Sequence, residues 1–173
     1  MEYNRYGYHG TSQDIAKNIL SKQDFVDSNR DNEWLGKGVY FFAYPAHARW
    51  WVTHNRYRDV PTEVLRASLT FSDNQLLDLD DPDTLNEVNA IVEAFVRRAN
   101  ETPKIAVDFS AMKPANKWNF ACNLVRGLKP QIGIISYTFC SNSRRGYAGY
   151  PETQKQYCVS DHSIIGQIEI AQV

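Results

Sequence analysis

Apolar positions along the chain recur with two periods. From Glu63 to Phe71 the pattern alternates, with Leu65, Ala67, Leu69 and Phe71 on one face and Arg66, Ser68 and Thr70 on the other. This predicts a half-buried strand. Further short strands are expected at Arg5 to His9, in the run after Gly38, and at Leu76 to Leu79, Ile132 to Phe139, Gln156 to Val159 and Ile164 to Ile170, with a brief one at Phe25-Val26. Helical spacing governs Ile15, Ala16, Ile19 and Leu20, behind an N-cap at Thr11 or Ser12. It also governs Leu85, Val88, Ile91, Val92, Phe95 and Val96 behind Pro82, where an acidic start and Arg97-Arg98 at the end suit the helix dipole. Two more helices are predicted, from Pro45 to about Arg56 with Trp50 and Trp51 inside it, and from Pro114 to Leu128 with Trp118, Cys122 and Val125 as core positions. Between them lie a polar loop over 27–33 able to cover a pocket, an irregular connection over 103–114, and an exposed loop from Ser141 to Glu152. Many short strands with about four helices predict an α+β domain.

Composition narrows the class. A chain of 173 residues that is 43% hydrophobic can bury one core, and with no linker or repeat the expectation is a single domain over 1–173. No apolar run approaches a membrane span, and Met1-Glu2-Tyr3-Asn4-Arg5 lacks a signal-peptide core. Three widely spaced cysteines, Cys122, Cys140 and Cys158, argue against a disulfide framework. The expectation is a soluble, cytoplasmic protein without a membrane partner. Cys158 and His162 stand four apart but no second pair completes a zinc site, so no metal is expected. His47, His54 and His162 have no evident partners and are read as surface or core residues.

Net charge is −1, yet its distribution is uneven. Residues 73–101 sum to −6 and residues 102–150 to +6. A basic half can face a phosphate-bearing ligand or nucleic acid, or be a solvated face balancing the acidic one.

Candidate chemistry sits at two glycine-bearing strand ends. Leu35-Gly36-Lys37-Gly38 leads into Val39-Tyr40-Phe41-Phe42, and Tyr8-His9-Gly10-Thr11 breaks a strand upstream. Glycine lets a backbone turn sharply or approach a ligand closely, and Tyr40 offers an aromatic face beside it. The plainer reading is two adjacent core strands with glycine-lined ends.

These motifs carry a resemblance. His9-Gly10-Thr11, then a capped helix, a polar loop and Gly36-Lys37-Gly38-Val39-Tyr40-Phe41, resemble the ADP-ribosyltransferases of the poly(ADP-ribose) polymerase type. That family has His-Gly-Ser/Thr on one strand and Gly-x-Gly-x-Tyr-Phe on a later one. Its third element is a strand bearing a catalytic Glu. Gln156-Tyr157-Cys158-Val159-Ser160-Asp161 looks like that element with Gln in the Glu position. The three blocks keep the family's order and span most of the chain.

The resemblance implies an ADP-ribosyltransferase-like split β-sheet core with peripheral helices and NAD bound in a cleft between two small sheets. It implies that His9 hydrogen-bonds the adenosine ribose, that the Gly10 backbone holds the nicotinamide amide, and that Tyr40 stacks on the nicotinamide. Thr11 and Gly38 belong to the same binding motifs. Trp51 stands where the family has a second aromatic, eleven residues after Tyr40. Ala48 stands where it often has Ser. Catalysis falls to His9, Tyr40 and Gln156. Since Gln156 is no base, single-unit transfer is expected, with Glu152 the carboxylate proposed to assist. NAD is then the donor substrate, and the acceptor is a macromolecule, RNA or DNA ahead of protein. Arg144, Arg145, Tyr147 and Glu152 are candidates to hold it. By analogy such a domain suits a toxin or defence effector, with an antitoxin protein as a partner. The alternative is a catalytically inactive module that binds NAD or ADP-ribose and acts through a protein partner.

Overall fold

The computed structural model describes residues 1–28, 30, 33–54, 57, 59–101, 108–145 and 151–172, and side chains among them outside 141–145 and 151. In chain order the elements are β1 (Glu2–Ser12), α1 (Gln13–Lys22), β2 (Val39–Phe42), α2 (Pro45–His54), β3 (Thr62–Ser72), β4 (Leu76–Asp78), α3 (Pro82–Glu101), α4 (Pro114–Leu128), β5 (Ile134–Arg145), β6 (Pro151–Val159) and β7 (Ile165–Ile170). Short 3₁₀ turns occupy Asp73–Gln75 and His162–Ile164. The domain is α+β. Its seven described strands form one mixed sheet in the order β4-β5-β6-β2-β1-β3-β7, parallel only at β4–β5.

Strand alternation decides which helix covers which face. Val39 and Phe41 of β2, Leu65, Ala67, Leu69 and Phe71 of β3, and Tyr157 and Val159 of β6 share one core cluster with Ala16 and Ile19 of α1. The other face carries two clusters. Leu77, Ile135, Phe139 and Cys158 pack with Val88 and Val92 of α3 and with Cys122 and Val125 of α4. Phe42, Val64 and Ala171 pack with Ala48 of α2. One face thus bears α1, and the other bears α2 over one half and α3 with α4 over the other.

Several expectations change in detail. Ser12, not Thr11, caps α1 by accepting the Ile15 N–H at 3.4 Å, while Thr11 is buried. Phe25-Val26 is not a strand; Phe25 is an irregular residue packed into the α1 side of the core. The apolar stripe of α3 is only partly covered, with Leu85 and Phe95 exposed at its margins. The supposed loop from Ser141 to Glu152 is largely strand, because β5 continues to Arg145 and pairs back with β6 from Pro151, through a register shift between Ser141 and Arg145. Ladder bonds need no apolar side chains, so composition alone concealed this arm.

β2 is held at its start by Gly38. Its backbone exchanges hydrogen bonds with Ser28 (2.9 and 3.1 Å). It has φ +151°, and a Cβ there would lie 2.5 Å from the Val159 carbonyl oxygen of β6. Both strain and overlap oppose any side chain at this position. Gly38→Ala is expected to lower folding stability by about 1–3 kcal/mol, read as a shift in the urea midpoint at unchanged slope.

Candidate functional site

β1 and β2 meet at a single registered pair, Tyr8 opposite Phe42, and then part. Beyond that pair, His9, Gly10 and Thr11 confront Val39 to Phe41 with no ladder between them. His9 reaches across this opening: its Nδ1 lies 2.8 Å from the Tyr40 carbonyl oxygen. A carbonyl can only accept, so Nδ1 carries the proton. The ring packs edge-on to Phe25 at 5.2 Å and Phe41 at 6.0 Å, and burial holds its pKa below the ordinary histidine value despite the Tyr40 bond. His9 is therefore a neutral imidazole with a lone pair on Nε2, an acceptor for a ligand hydroxyl.

Close packing explains the glycine that follows. α2 crosses β1 so tightly that a Cβ on Gly10 would sit 2.5 Å from Val52 Cγ1 and 2.7 Å from the Ala48 carbonyl oxygen. Ala48 is fully buried in the same contact, so position 48 serves packing.

The loop into β2 is held from two sides. The Tyr40 hydroxyl accepts the Leu35 N–H at 2.9 Å and donates to the Gly36 carbonyl at 2.8 Å. Burial first, and the neighbouring Cys158 and Glu33 after it, raise the Tyr40 pKa, so the phenol stays protonated. From α4, Asn119 donates to the carbonyls of Arg30 (3.1 Å) and Glu33 (3.0 Å), Asn123 accepts the Lys37 N–H (3.0 Å), and Arg126 donates to the carbonyls of Lys37 (2.5 Å) and Cys158 (2.7 Å). Positions 119, 123 and 126 follow helical spacing, so one stripe of α4 grips the loop at Arg30, Glu33 and Lys37.

A cavity of about 790 Å³ opens where the strands part, within the size range of small-molecule sites. His9, Gly10, Thr11, Gly38, Tyr40, Trp51 and Gln156, expected as donor-binding or catalytic, all line it. Gln156 of β6 stands opposite Phe42 and Tyr137 and shares their face with Tyr40 and Cys158, whereas His9 belongs to the α1 face. Its side chain makes no hydrogen bond among the described residues. Trp51 is half-buried, edge-on to Tyr57 at 5.9 Å. The acceptor-holding set is not gathered here. Glu152, opposite Ser141 on β6, is exposed and not part of the cavity wall. Arg144 and Arg145 lie on β5 with side chains outside the described ones, and Tyr147 lies outside the described residues.

The cavity also recruits residues that sequence reading passed over: Phe25, Lys22 and Arg30, and the carboxylates Asp24, Asp27 and Glu33. His162, expected to lack partners, has two. Its Nδ1 is 2.9 Å from Asp24 and its Nε2 2.9 Å from Asp27, clamping the cavity wall to the turn after β6. Partners over 130 positions away leave no local signal. Glu33 did have one, as an acid within the polar loop expected to cover a pocket. Among the described residues, no group of three or more His, Cys, Asp or Glu side chains could hold a metal ion, and no helix is long and apolar enough to cross a membrane.

Burial alone would lower the His162 pKa, but its bonds to Asp27 and Asp24 outweigh this and raise it. The stabilisation is then complete below the unfolded value of about 6.5 and fades as pH rises through the higher folded value. His162→Gln is expected to cost about 0.5–1 kcal/mol at pH 5.5–6, and less by pH 9, measured by urea unfolding of both proteins across that range.

No family model matches the chain, and no solved structure matches it. The chain is similar to the uncharacterized protein MJ0359 of Methanocaldococcus jannaschii, at 23% identity in a gapped alignment of 186 positions that takes in 94% of this chain and 85% of that protein.

Proposed function

We propose that this protein is an NAD-dependent mono-ADP-ribosyltransferase, which transfers ADP-ribose to a macromolecule and releases nicotinamide. The observation that carries the reading is that three motifs, from distant parts of the chain, line one cavity at the parting of β1 and β2. In this reading the sheet is a split one, with β4-β5-β6-β2 and β1-β3-β7 as its halves. NAD lying in the split meets His9 from one half and Tyr40 and Gln156 from the other.

The residues suit that donor. His9, neutral and with Nε2 free of its carbonyl bond, accepts a ribose hydroxyl. Gly10 offers its backbone to the cavity, while the space of its missing side chain is filled by α2. Tyr40 and Trp51 supply aromatic area for the nicotinamide and its surroundings. Lys22 and Arg30, both on the cavity wall, are cations for the diphosphate. Gln156 can donate to and accept from ribose hydroxyls, and so orient the sugar as the glycosidic bond lengthens and positive charge grows on it. An amide neither balances that charge nor takes a proton, which favours transfer of a single unit.

The basic segment over 102–150 favours a nucleic-acid acceptor, RNA before DNA, with protein as the other class. The context we propose is a cytoplasmic toxin or defence effector, restrained by an antitoxin protein. One observation favours a second reading, a module that binds NAD or ADP-ribose without chemistry: the position of the family's glutamate holds Gln156.

The test follows NAD labelled in its adenine half, mixed with purified protein and an extract of protein, RNA and DNA. Label is expected in a nuclease-sensitive fraction, with transfer falling by about 10²-fold or more in His9→Ala and falling also in Gln156→Ala. NAD binding with neither transfer nor nicotinamide release selects the binding module.

A further inference from the structure

Three carboxylates line the cavity, and they are not equivalent. Asp24 and Asp27 both face the His162 ring, and Asp27 also lies 3.7 Å from Lys37. Glu33 is held differently. Its backbone is pinned, the N–H donating to the Arg30 carbonyl at 3.2 Å and its own carbonyl accepting Asn119 at 3.0 Å. Its carboxylate accepts the Ser28 hydroxyl and, at 3.3 Å, the Arg30 N–H. No cation is paired with it closely among the described residues; Arg30 acts on it only at longer range.

Glu33 also stands on the relevant side of the split. Its carbonyl is held by Asn119 of α4, the helix that packs on the face of Tyr40 and Cys158, and its charge raises the pKa of that phenol and that thiol. Those two side chains share the sheet face of Gln156, two residues from Cys158 along β6. Glu152, by contrast, is four residues from Gln156 along an extended strand, about 13 Å away at 3.3 Å per residue, and outside the cavity wall. Burial pushes the Glu33 carboxyl above the usual carboxylate range, against the lowering by Arg30. A half-buried acid in a cleft with a raised pKa holds a proton more readily than a free carboxylate, which suits a proton acceptor.

We propose that Glu33 is the general base of this site, supplying from the loop before β2 the carboxylate that Gln156 does not provide. The inference rests on the NAD-dependent transfer reading. As the bond between ribose C1′ and the nicotinamide nitrogen breaks, its electron pair neutralises the departing pyridinium. The acceptor hydroxyl forms the new C1′–O bond and gives its proton to the Glu33 carboxylate, which then releases it to water. NAD⁺ and an acceptor hydroxyl become the ADP-ribosylated acceptor, nicotinamide and one proton. Three contacts hold the base in place: Ser28 and the Arg30 N–H orient the carboxylate, and Asn119 fixes its backbone.

Glu33→Gln is the decisive variant, because glutamine keeps the shape of the side chain and one oxygen for the Arg30 N–H, turns an amide N–H toward the Ser28 hydroxyl, which can rotate to accept it, and loses charge and basicity. Full-length wild type, Glu33→Gln and Ser28→Ala are compared for transfer from labelled NAD, nicotinamide release, NAD binding and thermal melting. The expected result is a fall in kcat of about 10²–10⁴-fold in Glu33→Gln, with NAD affinity and melting nearly unchanged. The acid limb of the wild-type pH profile due to the Glu33 carboxyl disappears in Glu33→Gln, leaving the limb from protonation of His9. Ser28→Ala, which loosens the loop but keeps the carboxylate, retains both limbs. Wild-type transfer with an equally active Glu33→Gln overturns the role of Glu33 and leaves the transferase reading standing. A wild type that binds NAD but turns none over overturns both. A Glu33→Gln that melts early, and an equally impaired Ser28→Ala without a changed pH profile, would make Glu33 a loop cap and overturn its role as base.

Discussion

Everything at the candidate site depends on two strands that pair once and then separate. A continuous ladder between β1 and β2 would bury their backbone edges and leave no room between them. Instead, tight contacts on either side hold the strands apart. α2 lies against Gly10 with no space for a side chain, and β2 is drawn toward β6 by the close approach at Gly38. Each strand keeps a longer ladder on its other side, β1 with β3 and β2 with β6. The imidazole of His9 is the polar link across the opening, and its own hydrogen bond fixes which nitrogen is left for a ligand.

The described residues of the loop before β2 form no helix or named strand, and much of what holds them comes from outside the loop. Asn119, Asn123 and Arg126 reach it from α4, and the Tyr40 hydroxyl closes it from within. These are mostly bonds to backbone atoms, so they fix the path of the loop while leaving its side chains open to serve the cavity. On the opposite wall, His162 performs the same service through two aspartates, and Phe25 between them is pressed against His9. The cavity is thus bounded by segments whose positions are set by Tyr40 from within and by α4 and His162 from outside.

Much of the scaffold was legible in the sequence because burial leaves periodic traces. The alternation of Leu65, Ala67, Leu69 and Phe71 marked β3, and the spacing of Val88 and Val92 marked α3. The residues of the three motifs were legible as types, glycines beside aromatics and a histidine, and the fold draws them into one cavity. What escaped was set by distant partners or by backbone alone. The arm of β5 and β6 is polar on both faces and pairs through main chain, so it looked like a loop. β1 extends to Glu2 for the same reason, its exposed residues being carried by the ladder to β3. His162 looked solitary because both partners lie on the other side of the chain, and the position of Glu33 depends on α4, some ninety residues later.

The place of β6 has a bearing on how the molecule assembles. Although β6 follows residue 150, it is an interior strand, flanked by β5 and β2. All that precedes it can form only two separate sheets, β4 with β5 and β2 with β1 and β3, and nothing in the ladder joins them. β6 pairs locally with β5, but docking it on β2 makes contacts of long sequence separation, a slow kind to form. It also brings Gln156 into position at the moment the two parts are zipped together. Until that late step a growing or partly unfolded chain has no complete cavity, so ligand binding would report on closure of the entire sheet.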